Sequence, residues 1–146
     1  MDRPFKLEAV LNQRKHREES ARKIFADGAR ALRHAQMTLS DMENTRTQYR
    51  RSLRLKQENS DSAMELILYT RYLSRLESEI HEQQQVIDAL ARDKEDKRVA
   101  LMTTLKDRKI IEKLKERYLA AAAKKERDNE QKLLNDVAIS RYQRKQ

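Results

Sequence analysis

The sequence predicts an all-α chain folded as a long two-helix antiparallel coiled-coil hairpin, with a longer C-terminal helix overhanging the open end. Three observations predict it. Of 146 residues, 39% are charged while Pro4 and Gly28 are the only proline and glycine, and a chain so poor in turn-forming residues favours long helices. Apolar residues recur at alternating steps of four and three through both halves, the a/d spacing of a coiled coil. A polar stretch from Gln57 to Ser62 separates the halves. With 38% hydrophobic residues, 5% aromatics and no Trp, the chain can bury a narrow seam better than a thick core. One coiled-coil domain over residues 1–146 follows, with a first helix over about 4–57, a turn over about 58–62 and a second helix over about 63–143.

Pro4 is tolerated in a first helical turn, where its missing N–H would be unpaired anyway, and Asp2 stands two positions before it, so the first arm is expected to begin near residue 4 or 5. Its stripe reads Leu7, Leu11, Arg14, Glu18, Ala21, Phe25, Gly28, Leu32, Ala35, Leu39, Met42, Arg46, Tyr49 and Leu53. Arg14 and Glu18 are charges at seam positions, costly unless they specify something or face a wet end. They are four residues apart and can pair along the helix. Either the open end is splayed and hydrated there, or a partner docks there.

In the polar stretch, Asn59, Ser60, Asp61 and Ser62 favour a turn, and Asp61 or Ser62 can cap the next helix. The second arm resumes the spacing with Leu66, Tyr69, Leu73, Leu76, Ile80, Gln83, Ile87 and Leu90, and weakens through Lys94 and Lys97 before Leu101. Farther on, Ile111, Leu114, Tyr118 and Ala121 suggest a shifted register facing something other than the first arm. A short connection makes the arms antiparallel and pairs residue i with roughly 120 − i, bringing Leu53 to Leu66 and Tyr49 near Tyr69 and Tyr72. A first arm of roughly 80 Å against a second of roughly 120 Å leaves about 30 C-terminal residues unpaired. That overhang holds Ala120 to Ala123 and the charged run Lys124, Lys125, Glu126, Arg127, Asp128. Leu133, Leu134, Val137 and Ile139 then form an unpartnered apolar face, a docking surface or simply incidental leucines on a fraying helix.

The chemistry this sequence offers is narrow. With no cysteine there is no disulfide, thiolate or Cys-based metal site, which fits a cytoplasmic setting. The N-terminus leads into charged helix with no apolar leader segment, and no window approaches the roughly 20 apolar residues of a membrane span. His16, His34 and His81 stand apart, and one glycine permits no phosphate-binding loop, so no metal or cofactor is expected. Neighbouring carboxylates such as Glu18 with Glu19, or Glu77 with Glu79, lie among Lys and Arg on helices that enclose no dry cleft, so no catalytic residue is expected and the chain is read as non-enzymatic. The net charge of +9 raises nucleic acid or anionic membrane as partners. The basic excess is spread along helices that also carry acids, and no basic-zipper order, helix-turn-helix spacing or aromatic stacking platform accompanies it. A solvated coiled-coil face is the favoured reading; a nucleic-acid-binding or scaffolding coiled coil is the alternative.

Three groups of residues carry a family resemblance over nearly the whole chain. The opening is Phe5-x-Leu7-x-x-Val10-Leu11-x-x-Arg14 with Glu18 and Ala21. Around the turn stand Tyr49-Arg50 and Tyr69-x-x-Tyr72-Leu73-x-x-Leu76-Glu77-x-x-Ile80. The close is Lys113-Leu114-Lys115-x-Arg117, then Leu134-Asn135-Asp136-Val137-Ala138 with Arg141. In order and spacing the chain resembles the flagellar export protein FliJ family. Asn135-Asp136 and Val137 depart from its usual ending, an acidic pair before the Ala.

The resemblance implies a stalk-like cytoplasmic component of the flagellar type III export apparatus, peripheral to the inner membrane at the flagellar base through its partners. Those partners would be the hexameric export ATPase and the cytoplasmic domain of the export gate, with the ATPase regulator and export chaperones as further candidates, and no nucleic acid. By position, Met42, Tyr49, Tyr72 and Leu76 would form the gate-binding surface, while Glu79 and Gln83 are unusual at its outer edge. The open end, with Phe5, Leu7, Arg14, Glu18, Arg117, Lys124, Lys125 and Arg127, would bind the ATPase.

Overall fold

The computed structural model describes residues 4–59 and 62–145 and consists of two helices, α1 (Glu8–Glu58) and α2 (Ala63–Lys145). They pack together as an antiparallel hairpin. The paired residues across it have numbers adding to between 118 and 127, from Gln83 with Ala35 to Arg50 with Glu77. Among the described residues there is no strand, and no helix is long and apolar enough to cross a membrane.

Helix α1 begins about one turn later than Pro4 suggests. The Glu8 N–H donates to the Phe5 carbonyl at 3.1 Å, closing a turn before the helix. Phe5 thereby sits outside the helix, with its ring 5.6 Å from that of Tyr118 and inclined by 47°. At the other boundary the Met64 N–H donates to Ser62 Oγ at 3.3 Å, which satisfies one of the orphan donors of α2. The other candidate cap, Asp61, lies outside the described residues, as do Asp2 and Ser60.

Two stripes make the seam. In α1 each position of the four-three series from Leu7 to Leu53 is buried or half-buried, with only Tyr49 at the margin of exposure. In α2 the series that starts at Leu66 runs on without a shift through Leu101, Thr104, Arg108, Ile111, Lys115, Tyr118 and Ala122, none of them exposed. This corrects the shifted register read from Leu114 and Ala121, both of which face solvent. The cause is chemical: Arg108 and Lys115 occupy seam sites because they reach Glu18 and Glu8 across the hairpin, so a count of apolar residues passes over them. The segment therefore packs on the first arm. Beyond Ala122, residues 123–145 are all exposed, a somewhat shorter overhang than the arm lengths imply.

The chain divides into two compact units, one formed by Ala21–Leu101 and the other by Met1–Ser20 with Met102–Gln146. In the first, the turn unit, the core is Leu32, Ala35, Leu76 and Ile80. Gln83 spans its seam by donating to the Ala35 carbonyl at 3.0 Å. Gly28 is buried there, and the aliphatic stem of Lys97 lies over it, 3.2 Å from where a Cβ would stand. Lys94 carries its ammonium 6.0 Å from the centre of the Phe25 ring, and the Lys97 ammonium pairs with Asp93 at 2.7 Å, so two lysines fill seam sites with their stems while their charged heads find partners. In the second, the terminal unit, Leu11 is the most completely buried apolar residue and the buried polar residue is Glu18.

Two stability experiments follow. Replacing Gly28 with Ala removes a helix-interior glycine penalty of about 1 kcal/mol. The only close neighbour is a flexible lysine stem that can shift by tenths of an ångström, so thermal unfolding followed by circular dichroism should show a Tm higher by about 2–4 °C. A lower Tm would mean that the stem has no room. Ile80→Ala, by contrast, opens a void in the turn unit and should cost about 2 kcal/mol, the low end for such truncations because a two-helix seam can partly collapse. Urea unfolding measures that loss, and in it Leu133→Ala on the exposed overhang should change stability by less than about 0.5 kcal/mol.

Candidate protein-interaction surfaces

Beside the turn, an aromatic cluster follows from the register. Tyr49 of α1 is a seam residue whose large ring cannot be covered by two helices. It packs on Tyr72, with ring centres 4.4 Å apart, and on Tyr69 at 5.7 Å. The contacts hold the rings in tilted pairs, and 36% of Tyr49 stays open to solvent. Rings fixed in this way offer apolar area and hydroxyls at little further entropic cost on binding. Cations ring the cluster: Lys56 lies over Tyr69 at 5.3 Å and Arg75 over Tyr72 at 5.7 Å. Glu77 accepts from Arg46 at 3.3 Å and also pairs with Arg50, joining the arms beside the tyrosines.

The four residues assigned to this surface fare differently. Tyr49 and Tyr72 are brought together with part of their surface accessible. Met42 is half-buried, about two turns from Tyr49 along α1. Leu76 is only 5% exposed and belongs to the core. It presents almost nothing to a partner in the paired hairpin.

The terminal unit has a polar seam. Arg108 donates to Glu18 across the hairpin and to Glu112 along its own helix at 2.6 Å. Both carboxylates raise the Arg108 guanidinium above its ordinary pKa, the Glu18 hydrogen bond contributing most. A raised pKa places that contribution below the guanidinium range, to be lost only as pH rises through it, so it is fully present at neutral pH. Lys115 pairs with Glu8 at 3.0 Å, and Arg14 stands 3.9 Å from Asp107. Nε of Arg14 is buried without a hydrogen-bond partner, and the same is true of Arg46 in the turn unit. Arg14 and Glu18 do not pair with each other; each turns to α2.

Of the open-end residues, Phe5, Leu7 and Arg14 are half-buried and Glu18 is buried, whereas Arg117, Lys124, Lys125 and Arg127 are exposed. The first four therefore build the seam, and the last four are free to meet a partner. Reading the sequence missed Arg108, Lys115 and Glu8, although all three signals were present: the first two fall on the unbroken four-three count and Glu8 stands opposite. Among the described residues no group of three His, Cys, Asp or Glu side chains could hold a metal ion.

The polar seam can be tested by a double-mutant cycle. Glu18→Leu leaves Arg108 only its Glu112 partner and should cost about 1–2 kcal/mol. Adding Arg108→Leu should recover most of that loss, because an apolar pair suits the same seam sites. Additive losses in urea unfolding would show that the two side chains are not coupled.

Comparisons with known proteins agree with this architecture. A solved structure titled as a YscO homolog from Chlamydia trachomatis has the same fold, with a TM-score of 0.64 and 24% identity, covering 98% of this chain and 96% of that one. No curated protein sequence matches the chain significantly. The family described as flagellar FliJ protein matches residues 3–146. With its whole seam, both arms and the overhang inside that match, the chain belongs to the flagellar FliJ protein family.

Proposed function

We propose that this protein is a non-enzymatic, stalk-like component of the flagellar type III export apparatus that binds the hexameric export ATPase and the cytoplasmic domain of the export gate. It promotes assembly and activity of the ATPase and assists delivery of chaperone-bound substrates. It works at the cytoplasmic face of the inner membrane at the flagellar base, held there by its partners, with the ATPase regulator as a further contact.

The observation that carries this reading is the family match over residues 3–146. The geometry supports it in two respects. Residues from both ends of the chain belong to one unit, so a partner that grips this end meets Arg117, Lys124, Lys125 and Arg127 beside a seam held by ion pairs. An exposed basic helix suits a pore or groove lined with acidic groups. Separately, Tyr49 and Tyr72 supply a rigid aromatic patch of the kind that dominates binding energy at protein interfaces.

The test is hydrolysis by the cognate export ATPase with and without the purified protein. Stimulation is expected, with Lys124→Gln, Lys125→Gln and Arg127→Gln together weakening it and raising its salt sensitivity. Absence of both association and stimulation would remove the ATPase from the proposal, and sequence-selective DNA binding with a steep salt slope would favour a nucleic-acid partner. For the gate, Tyr49→Ala and Tyr72→Ala should each weaken binding to its cytoplasmic domain by about 1–2 kcal/mol in calorimetry while leaving ATPase stimulation intact.

A further inference from the structure

The turn unit carries a second feature, distinct from the tyrosine cluster. In the first two turns of α2, Met64, Ile67 and Leu68 are 66%, 48% and 56% exposed, and Leu55 in the last turn of α1 is 53% exposed. Behind them, on the order of 10 Å from the turn by helical rise, both arms carry exposed arginines, Arg51 on α1 and Arg71 and Arg75 on α2, while the exposed Arg54 stands level with Ile67. Arg75 pairs with Glu79. Among the described residues, Arg51, Arg54 and Arg71 enter no ion pair, and Arg51 and Arg71 have no carboxylate three or four residues away, whereas Arg75 has Glu79.

The arrangement is layered apart from Arg54: apolar side chains nearest the turn, with Arg51 and Arg71 behind them. Counted from the seam, Arg51 and Arg71 lie on the outward faces of their helices, so they point away from each other. A groove on a protein meets one face of a hairpin and would leave one of these two in water. A planar, anionic, apolar-below-polar medium meets all sides of an inserted tip at one depth. Such a medium takes apolar side chains about 5–10 Å deep and attracts each cation at its surface.

We propose that the turn end of the hairpin docks end-on against an anionic lipid surface. Leu55, Met64, Ile67 and Leu68 enter the headgroup boundary, and Arg51, Arg54 and Arg71 engage lipid phosphates. Of the acidic residues at this end, Glu65 is neutralised by Lys56 at 3.2 Å. Glu58 is exposed and opposes the contact, and Asp61 of the turn sequence, outside the described residues, adds a second negative charge, so binding is reversible and charge-tuned. This contact goes beyond the ATPase and gate interactions and does not depend on them.

The full chain should co-sediment with equimolar phosphatidylglycerol–phosphatidylcholine vesicles at least tenfold more strongly than with phosphatidylcholine alone, in the absence of any partner protein. The variant R51Q/R54Q/R71Q should lose about tenfold or more, I67S/L68S a similar factor, and E58Q should bind more tightly. All of these positions are exposed, and helical content by circular dichroism confirms that each variant is folded. Equal binding to both vesicles would overturn the proposal. So would tip variants that bind like the parent while K124Q/K125Q/R127Q fails, which would move the lipid contact to the overhang. Loss of gate-domain binding by the tip variants with no vesicle binding by the parent would make the patch a protein contact instead.

Discussion

A hairpin of two helices can bury only one stripe from each, and every other property of this molecule is adjusted to that constraint. The seam advances by alternating fours and threes, so each arm presents one column of side chains to the other and leaves the rest in water. The consequence is a thin core of leucine, isoleucine and alanine in the turn unit, with Leu11 as its counterpart in the terminal unit. Such a core tolerates a glycine if a lysine stem covers it, as Lys97 covers Gly28. It tolerates arginines and glutamates if they find each other across the gap.

That tolerance is used unevenly. The turn unit keeps most of its seam apolar and gathers its tyrosines where the arms are about to turn. The terminal unit trades apolar contacts for Glu18 with Arg108, Glu8 with Lys115 and Arg14 near Asp107. Ion pairs in a seam give register more than net stability, because desolvation offsets much of their attraction. The buried, unpartnered Nε of Arg14 adds a further cost. A weakly held end carrying an exposed basic helix suits a segment that completes its packing on another protein, whereas a firm aromatic platform suits a surface that binds without rearranging.

Much of this was legible in the chain. The α1 stripe from Leu7 to Leu53, the breaker before Ser62, the capping role of Ser62 and the meeting of Tyr49 with Tyr69 and Tyr72 all follow from periodicity, turn chemistry and antiparallel pairing. The overhang follows from unequal arm lengths. Legibility failed wherever a polar residue did an apolar residue's job. Arg108 and Lys115 hold seam sites in an unbroken register, yet an apolar count jumps instead to Leu114 and Ala121. Leu76 stood on the seam count and, by the family resemblance, on the gate-binding surface, and in the paired hairpin it is buried, as the seam count expects.

The sequence by itself determined the helices, their pairing and the family pattern, because helical periodicity is written in the order of apolar residues and one polar interruption leaves one way to fold back. Tertiary structure alone decided which charged side chains are structural and which are free. Glu18 stood on the seam count and Arg117 off it, but only the presence of Arg108 opposite Glu18 decides that this charge is a buried strut and not a hydrated gap. A charge becomes part of a core through its neighbour across space, and that neighbour is 90 residues away along the chain.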